Sequence, residues 1–275
     1  MTATIAGRMR RAAYALVICG LLFGAPLATA KSTARVSTTV DWTTFQATVG
    51  GSPPVYDGQG TIAQASAAYN DTGTPFDQQS VSSWGAVTAE VSAFNVLGRG
   101  SASATQLRAE GVGIADGVNN TYGRGTAVVY RIGYFPVSAN GTIQASVTFN
   151  LSQFFDYAPA TDAVGGYSEF NIGISRVNSA TGNTETVART TDRFFHYSGS
   201  VDQNGAWTDQ RTLTVSASAE AGYRYAIDVF AQVDGNAGTR AVPLAAQPIP
   251  LSPLLPLLLS GVIAAGMLLG RSHRR

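Results

Sequence analysis

Apolar and polar residues alternate along most of this chain. Residues 142–151 give the cleanest case: Ile143, Ala145, Val147, Phe149 and Leu151 fall on one side, Thr142, Gln144, Ser146, Thr148 and Asn150 on the other. A period of two predicts a strand with one face in a core and one in water. Residues 223–234 repeat it, with Tyr223, Tyr225, Ile227, Val229, Ala231 and Val233 inward. Their wet face carries Arg224, Asp228, Gln232 and Asp234, interrupted by Phe230. Leu213, Val215 and Ala217 alternate with Thr212, Thr214 and Ser216 in the same way. Further strands are predicted over 42–49, 61–69, 87–97, 126–135, 169–177, 184–190 and 193–201.

Turn chemistry separates these runs. Asp57-Gly58, Asp116-Gly117, Asn140-Gly141, Asn204-Gly205 and Thr181-Gly182-Asn183 supply positive-φ positions at low steric cost. Asn140-Gly141 predicts a hairpin into the strand that starts at Thr142. No helical apolar stripe interrupts the body. The expected fold is all-β: a single antiparallel β-sandwich of jelly-roll type over residues 31–245. A β-helix is the alternative, but the chain has no fixed short repeat.

The pattern changes at both ends. Arg8, Arg10 and Arg11 precede an apolar run over 12–22, and Ala28-Thr29-Ala30 has the small-x-small form that a signal peptidase cuts. Residues 1–30 are therefore expected to be a cleaved signal peptide. At the other end, 246–256 is a linker holding Pro248, Pro250, Pro253 and Pro256. The apolar run 251–270 follows without a charge, long enough to cross a bilayer. A transmembrane helix is expected over 254–270. Arg271, Arg274 and Arg275 then form a basic stop in the tail 271–275, on the cytoplasmic side.

Charge changes the picture once the ends are set aside. The whole chain is formally +1, yet residues 31–246 hold one Lys and 11 Arg against 17 Asp and Glu, or 12 − 17 = −5. An acidic exported body repels phosphate backbones, which argues against nucleic acid as a partner. The single cysteine, Cys19, lies in the signal peptide, so the body has no disulfides, thiol nucleophile or thiolate metal site.

Candidate chemistry is sparse. His196 is the one histidine before the tail, so a Ser-His-Asp triad would have to use it. A strand histidine with a satisfied hydrogen bond is the simpler reading. Glu90, Glu169 and Asp228 lie on strand faces that read as polar, and solvated carboxylates are expected there. Asp202, Asn204 and Asp209 surround an Asn-Gly turn that resembles the start of a calcium loop. The loop lacks its later ligands, Ala206 and Leu213 standing in their places, so a polar turn is the alternative. No other cofactor is indicated. Trp42, Trp84 and Trp207 are candidate stacking platforms for a sugar ring.

The signal peptide, cysteine-free β body, proline motif, apolar span and arginine tail together resemble the PEP-CTERM group of exported bacterial proteins. The runs Val128-Val-Tyr-Arg-Ile-Gly-Tyr-Phe-Pro-Val137, 140–152 and 213–225 are also similar to paired strands of that group. Pro-Glu-Pro is absent. Its place is taken by Val242-Pro243-Leu244 or by Ile249-Pro250-Leu251, similar to the variants that begin Val-Pro-Leu-Pro or Ile-Pro-Thr-Leu. The resemblance implies a sorting tail read by an exosortase-type membrane transpeptidase after passage through the export machinery. It also implies a Gram-negative cell surface or extracellular matrix, and an association with exopolysaccharide and biofilm. The expected function is therefore a non-catalytic exported surface protein. The alternatives are a carbohydrate-binding module and a secreted hydrolase working through two carboxylates.

Overall fold

The computed structural model describes residues 31–70, 74–116, 121–157, 163–178, 182–197 and 204–238. They form twelve strands: β1 (Ser32–Val49), β2 (Gly58–Tyr69), β3 (Phe76–Val81), β4 (Val87–Ala93), β5 (Val96–Ala102), β6 (Gln106–Ala115), β7 (Tyr122–Pro136), β8 (Gly141–Asp156), β9 (Ala163–Val177), β10 (Thr184–Tyr197), β11 (Gly205–Ala219) and β12 (Arg224–Gly238). There is no helix among the described residues, and so none long and apolar enough to cross a membrane. The signal peptide, the 246–256 linker, the span and the basic tail lie outside them.

Two six-stranded antiparallel sheets pack face to face. The first has the order β11-β8-β1-β6-β5-β4, the second β10-β9-β12-β7-β2-β3. The alternation places the core where the pattern put it. Val36, Val40, Ile143, Val147 and Phe149 of the first sheet meet Phe170, Ile172, Ile174, Ile227 and Val229 of the second. Phe149 stacks on Phe170 with ring centroids 4.5 Å apart. The outer face of the first sheet is wet, as Thr, Ser, Asn and Gln predict.

At the other end the sheets come much closer. A Cβ on Gly98 would lie 2.3 Å from the Ser66 carbonyl oxygen, one on Gly111 2.3 Å from that of Gly125, and one on Gly125 2.0 Å from that of Leu97. Gly113 faces the carbonyls of Gly123 and Gly235 at 2.6 Å each. Backbone therefore touches backbone, well inside the roughly 10 Å at which side-chain-filled sheets pack. The sandwich is wedge-shaped, thick where phenylalanines fill it and thin along this glycine seam.

Several boundaries differ from the sequence reading. The predicted strand 87–97 is a hairpin, β4 and β5, turning at Phe94 with φ +55°. The predicted 184–190 and 193–201 strands are one strand, β10, with a register shift between Thr186 and Ala188. Asn140-Gly141 does not close a hairpin: β7 and β8 lie in different sheets, and the Asn140 side chain instead accepts from the Ala221 amide at 2.7 Å. Local turn chemistry cannot tell a hairpin from a crossing between sheets.

Candidate functional site

The outer face of the second sheet departs most from expectation. Strands β9 and β12 are buried on both sides, although β12 was expected to be wet on one. Asp228, Gln232, Asp234 and Asn236 are each at most 3% exposed. The register sets them in rows across the sheet. Ala226 lies between Ser175 and Tyr134, Asp228 between Gly173 and Ile132, and Phe230 between Asn171 and Tyr130. Gln232 follows between Glu169 and Val128, then Asp234 between Tyr167 and Thr126.

This face has two halves. Toward the start of β12 it is apolar, with Ile62, Ile132, Tyr134, Val177 and Ala226 packed together and Tyr130 against them. Toward the end of β12 it is polar. Arginines from the margins meet the carboxylates: Arg189 pairs with Asp228 at 3.1 Å, Arg193 with Glu169 at 3.1 Å, and Arg124 donates to Asp234. Tyr167 donates to Glu169. Burial pushes the Asp228 carboxyl above its ordinary value, and Arg189 opposes that shift. Burial likewise raises the Tyr134 phenol to about 12, against the pull of Arg224. Asp228 and Glu169 thus differ from the solvated carboxylates expected; Glu90, half exposed beside Arg99, fits that expectation.

Four side-chain atoms on this face have no hydrogen-bond partner: Asn171 Oδ1, Gln232 Nε2, Asp234 Oδ1 and Asn236 Oδ1. A buried polar atom left unpaired costs about 1–3 kcal/mol. One unpaired donor and three acceptors beside Tyr130 and Tyr167 suit a ligand whose groups both donate and accept, as hydroxyls do.

The candidate stacking platforms lie elsewhere and are turned inward. Trp42 stacks on Phe45 at 4.4 Å and meets Trp84 edge-on at 5.1 Å; Tyr56 packs on Trp84 at 4.6 Å. The Arg131 guanidinium sits 4.7 Å over the Trp42 ring. Arg131 is 1% exposed and donates to the carbonyls of Trp84 at 3.1 Å and Ser103 at 2.6 Å. Burial lowers its pKa to about 10. Trp84 Nε1 donates to the Ile132 carbonyl at 2.9 Å. This cluster closes the thick end of the sandwich. Trp207 packs against Phe194 at 5.3 Å and His196 at 4.7 Å, bridging β10 and β11.

His196 has the bland environment expected of it. Its Nδ1 is bonded to Gln153, and its ring lies against Phe155 and Trp207. Burial holds its pKa below the ordinary value. Asn204 and Asp209 are not brought together. Asn204 makes both its side-chain bonds to the Tyr157 backbone, at 3.0 Å each, and Asp209 accepts from Arg211 at 2.8 Å. Asp202 lies outside the described residues, as do Val242, Pro243, Leu244, Ile249, Pro250 and Leu251 of the sorting motif and Arg271, Arg274 and Arg275. Among the described residues no three His, Cys, Asp or Glu side chains gather as a metal site.

The sequence held one signal for the rows that were missed. Phe230, set among Asp228, Gln232 and Asp234, is out of place on a wet face and at home on a covered one.

No protein-family model matches the chain, and no curated protein matches it. Among solved structures, Bacillus subtilis oxalate decarboxylase aligns at 7% identity over 78% of this chain and 70% of that one, with TM-score 0.11. The recombinant pro-11S globulin of pumpkin aligns at 6% identity over 73% of each chain, with TM-score 0.12. A structure of infectious bursal disease virus, Gx strain, aligns at 12% identity over 88% of this chain and 75% of that one, with TM-score 0.10. Likenesses this small transfer neither fold nor function.

Proposed function

We propose that this chain is a non-catalytic exported protein of the cell surface or extracellular matrix. It carries a PEP-CTERM-like variant sorting tail, and the outer face of its second sheet contacts extracellular polysaccharide. The observation that carries the contact is the set of unpaired side-chain atoms at Asn171, Gln232, Asp234 and Asn236. They lie on one rigid sheet with Tyr130 and Tyr167. Sugar hydroxyls would satisfy these atoms. Destination comes from the two ends of the sequence: the cleavable leader over 1–30 and the proline motif, span and arginines after residue 245. Export machinery and an exosortase-like enzyme are the partners this implies. We read the sandwich as a jelly-roll variant, because β1 pairs with β8 and β2 with β7 as nested long-range partners.

Affinity electrophoresis of the secreted form through gels containing matrix polysaccharide tests the contact. Retardation of the wild type, lost in Gln232→Ala and Asn171→Ala, is the expected result. Unretarded wild type in every neutral and acidic glycan would refute it. Cell fractionation tests the destination; a mature form confined to the cytoplasm would end that reading.

The hydrolase alternative now has a specific pair. Glu169 and Asp234 are diagonal neighbours across β9 and β12, two carboxylates on one face as such a mechanism requires. Each is already committed to an arginine. Release of reducing sugar by the wild type, lost in Glu169→Gln, would favour this alternative over simple binding.

A further inference from the structure

The most buried arginine of the sandwich has no counter-ion. Arg124, Arg189, Arg193 and Arg224 each meet a carboxylate. Arg131 is 1% exposed and meets none among the described residues. It lies between the two sheets, and the groups that enclose it are all described residues. Nε donates to Thr61 Oγ1 at 3.4 Å, and Nη2 donates to the carbonyls of Trp84, Gly85 and Ser103 at 3.1, 3.4 and 2.6 Å. The Trp42 ring lies against the guanidinium plane. Burial lowers the pKa only to about 10, so the group keeps its charge at neutral pH. Carbonyl dipoles and a ring face soften a buried charge, but only an opposite charge cancels it.

Two donors at this place are unused. Arg131 Nη1 is buried without a partner, and so is the hydroxyl of Tyr56. The strand period brings the two residues together. Positions 131 and 133 of β7 share its inner face, about 7 Å apart. Position 133 is a glycine, and a Cβ there would lie 2.6 Å from the Tyr56 ring and 2.7 Å from the Trp84 ring. Tyr56 and Trp84 therefore press onto β7 beside Arg131, and Trp84 touches both residues: its ring packs on Tyr56 at 4.6 Å and its carbonyl accepts from Arg131.

We propose that the interior beside Arg131 binds one small monovalent anion, a halide, held by Nη1 and by the Tyr56 hydroxyl. Both groups are donors here, so the ligand must accept. Water is the poorer match. It brings no charge, and its own two hydrogens would compete for carbonyls that Nη2 already uses. The rings of Trp42, Phe45, Trp84 and Tyr56 pack with centroids 4.4 to 5.7 Å apart, and packing this close favours a single-atom anion over a carboxylate or phosphate.

The consequence is a halide-dependent clasp. Arg131 ties the connection after β3, through Trp84 and Gly85, to the connection after β5, through Ser103. Trp42 adds the register shift of β1 between Asp41 and Gln46. An anion that neutralises the guanidinium stabilises all three together. The site lies inside the sandwich, so it goes beyond the polysaccharide reading and does not depend on it.

The full chain is dialysed into sodium gluconate, whose anion is too bulky for the site, and titrated with sodium chloride at constant ionic strength. Tm is expected to rise saturably by about 5–11 °C, the shift a ligand at a hundred times its Kd gives a domain of this size. Equilibrium dialysis with radioactive chloride is expected to find one ion per chain. Absence of bound chloride overturns the proposal. Arg131→Met, uncharged and similar in length, is expected to abolish binding. Tyr56→Phe keeps the ring packing and is expected to weaken binding about tenfold, the worth of one hydrogen bond to a charged group. Near-UV circular dichroism of the Trp42 and Trp84 cluster shows whether each variant has folded; where Arg131→Met has not, Tyr56→Phe decides. Chloride bound by the folded variants as tightly as by the wild type overturns the proposal as well. Glycan retention is scored separately: its loss with chloride still bound refutes the polysaccharide contact alone.

Discussion

Gly125→Ala is the sharpest test of the glycine seam. A Cβ at Gly125 would lie 2.0 Å from the Leu97 carbonyl oxygen and 2.7 Å from the backbone N and O of Val112. Ordinary contact begins near 3.4 Å, so 3.4 − 2.0 = 1.4 Å must be found. No flexible side chain can give it, because every neighbour is backbone held in a hydrogen-bonded ladder. The sheets must part, and a gap of 0.5–1 Å already forfeits a quarter to a half of the dispersion attraction between facing atoms. Overpacking of this kind costs about 1–3 kcal/mol, and backbone contact on both sides puts this case at about 3 kcal/mol. For a domain of this size that lowers Tm by about 6–12 °C, at 2–4 °C per kcal/mol. Two controls separate clash from conformational strain. Gly141→Ala meets its nearest neighbour at 3.5 Å and should stay within about 0.5 kcal/mol of wild type. Gly51→Ala has open space but φ +86°, and should cost about 1 kcal/mol through strain alone. Calorimetry and urea titration read all three. A Gly125→Ala variant as stable as Gly141→Ala would refute the close approach of the sheets.

Arg131→Ala strips donors from the carbonyls of Trp84 and Ser103 and is expected to cost about 3 kcal/mol in urea unfolding. Arg131→Lys should not restore it, because one ammonium cannot replace the planar fork. His196 titrates below its ordinary 6.5, so the unfolded chain takes up a proton first as pH falls. Its contribution is therefore present above pH 6.5 and lost below it; the Tm-against-pH curve of His196→Gln should be flatter between pH 7 and 5, and parallel curves would contradict this. Trp207→Ala should lower Tm through lost packing on Phe194 and His196 while leaving polysaccharide retention intact, the opposite of Gln232→Ala.

The inner face of each sheet was legible because burial on one side writes a period of two, as in 142–151 and 223–234. Pairing was not, since alternation is silent about partners. Asn140-Gly141 looked like a hairpin and is a crossing, because the chain's next ladder partner is chosen by the whole sheet. The glycines at 98, 100, 111, 113, 123 and 125 carry no local sign of their role, which needs both sheets in view. Trp42 and Trp84 were read as sugar platforms on chemistry alone, whereas the Arg131 site between them rests on tertiary approach. The polar rows of β12 were visible but assigned to water, because a covered polar face and a wet one share an alphabet.

The chain order of the first sheet has a consequence for when this protein can fold. β1 finds its partners in β6 and β8, so Ser32 stays without its neighbour Ala115 until more than eighty residues have followed it. Topologies dominated by such distant contacts fold slowly. Local hairpins such as β4–β5 and β9–β10 can form early, but the first strand must wait for its neighbours. On the export route proposed above, that delay would keep the chain threadable through a narrow channel and leave assembly of the sandwich to the far side.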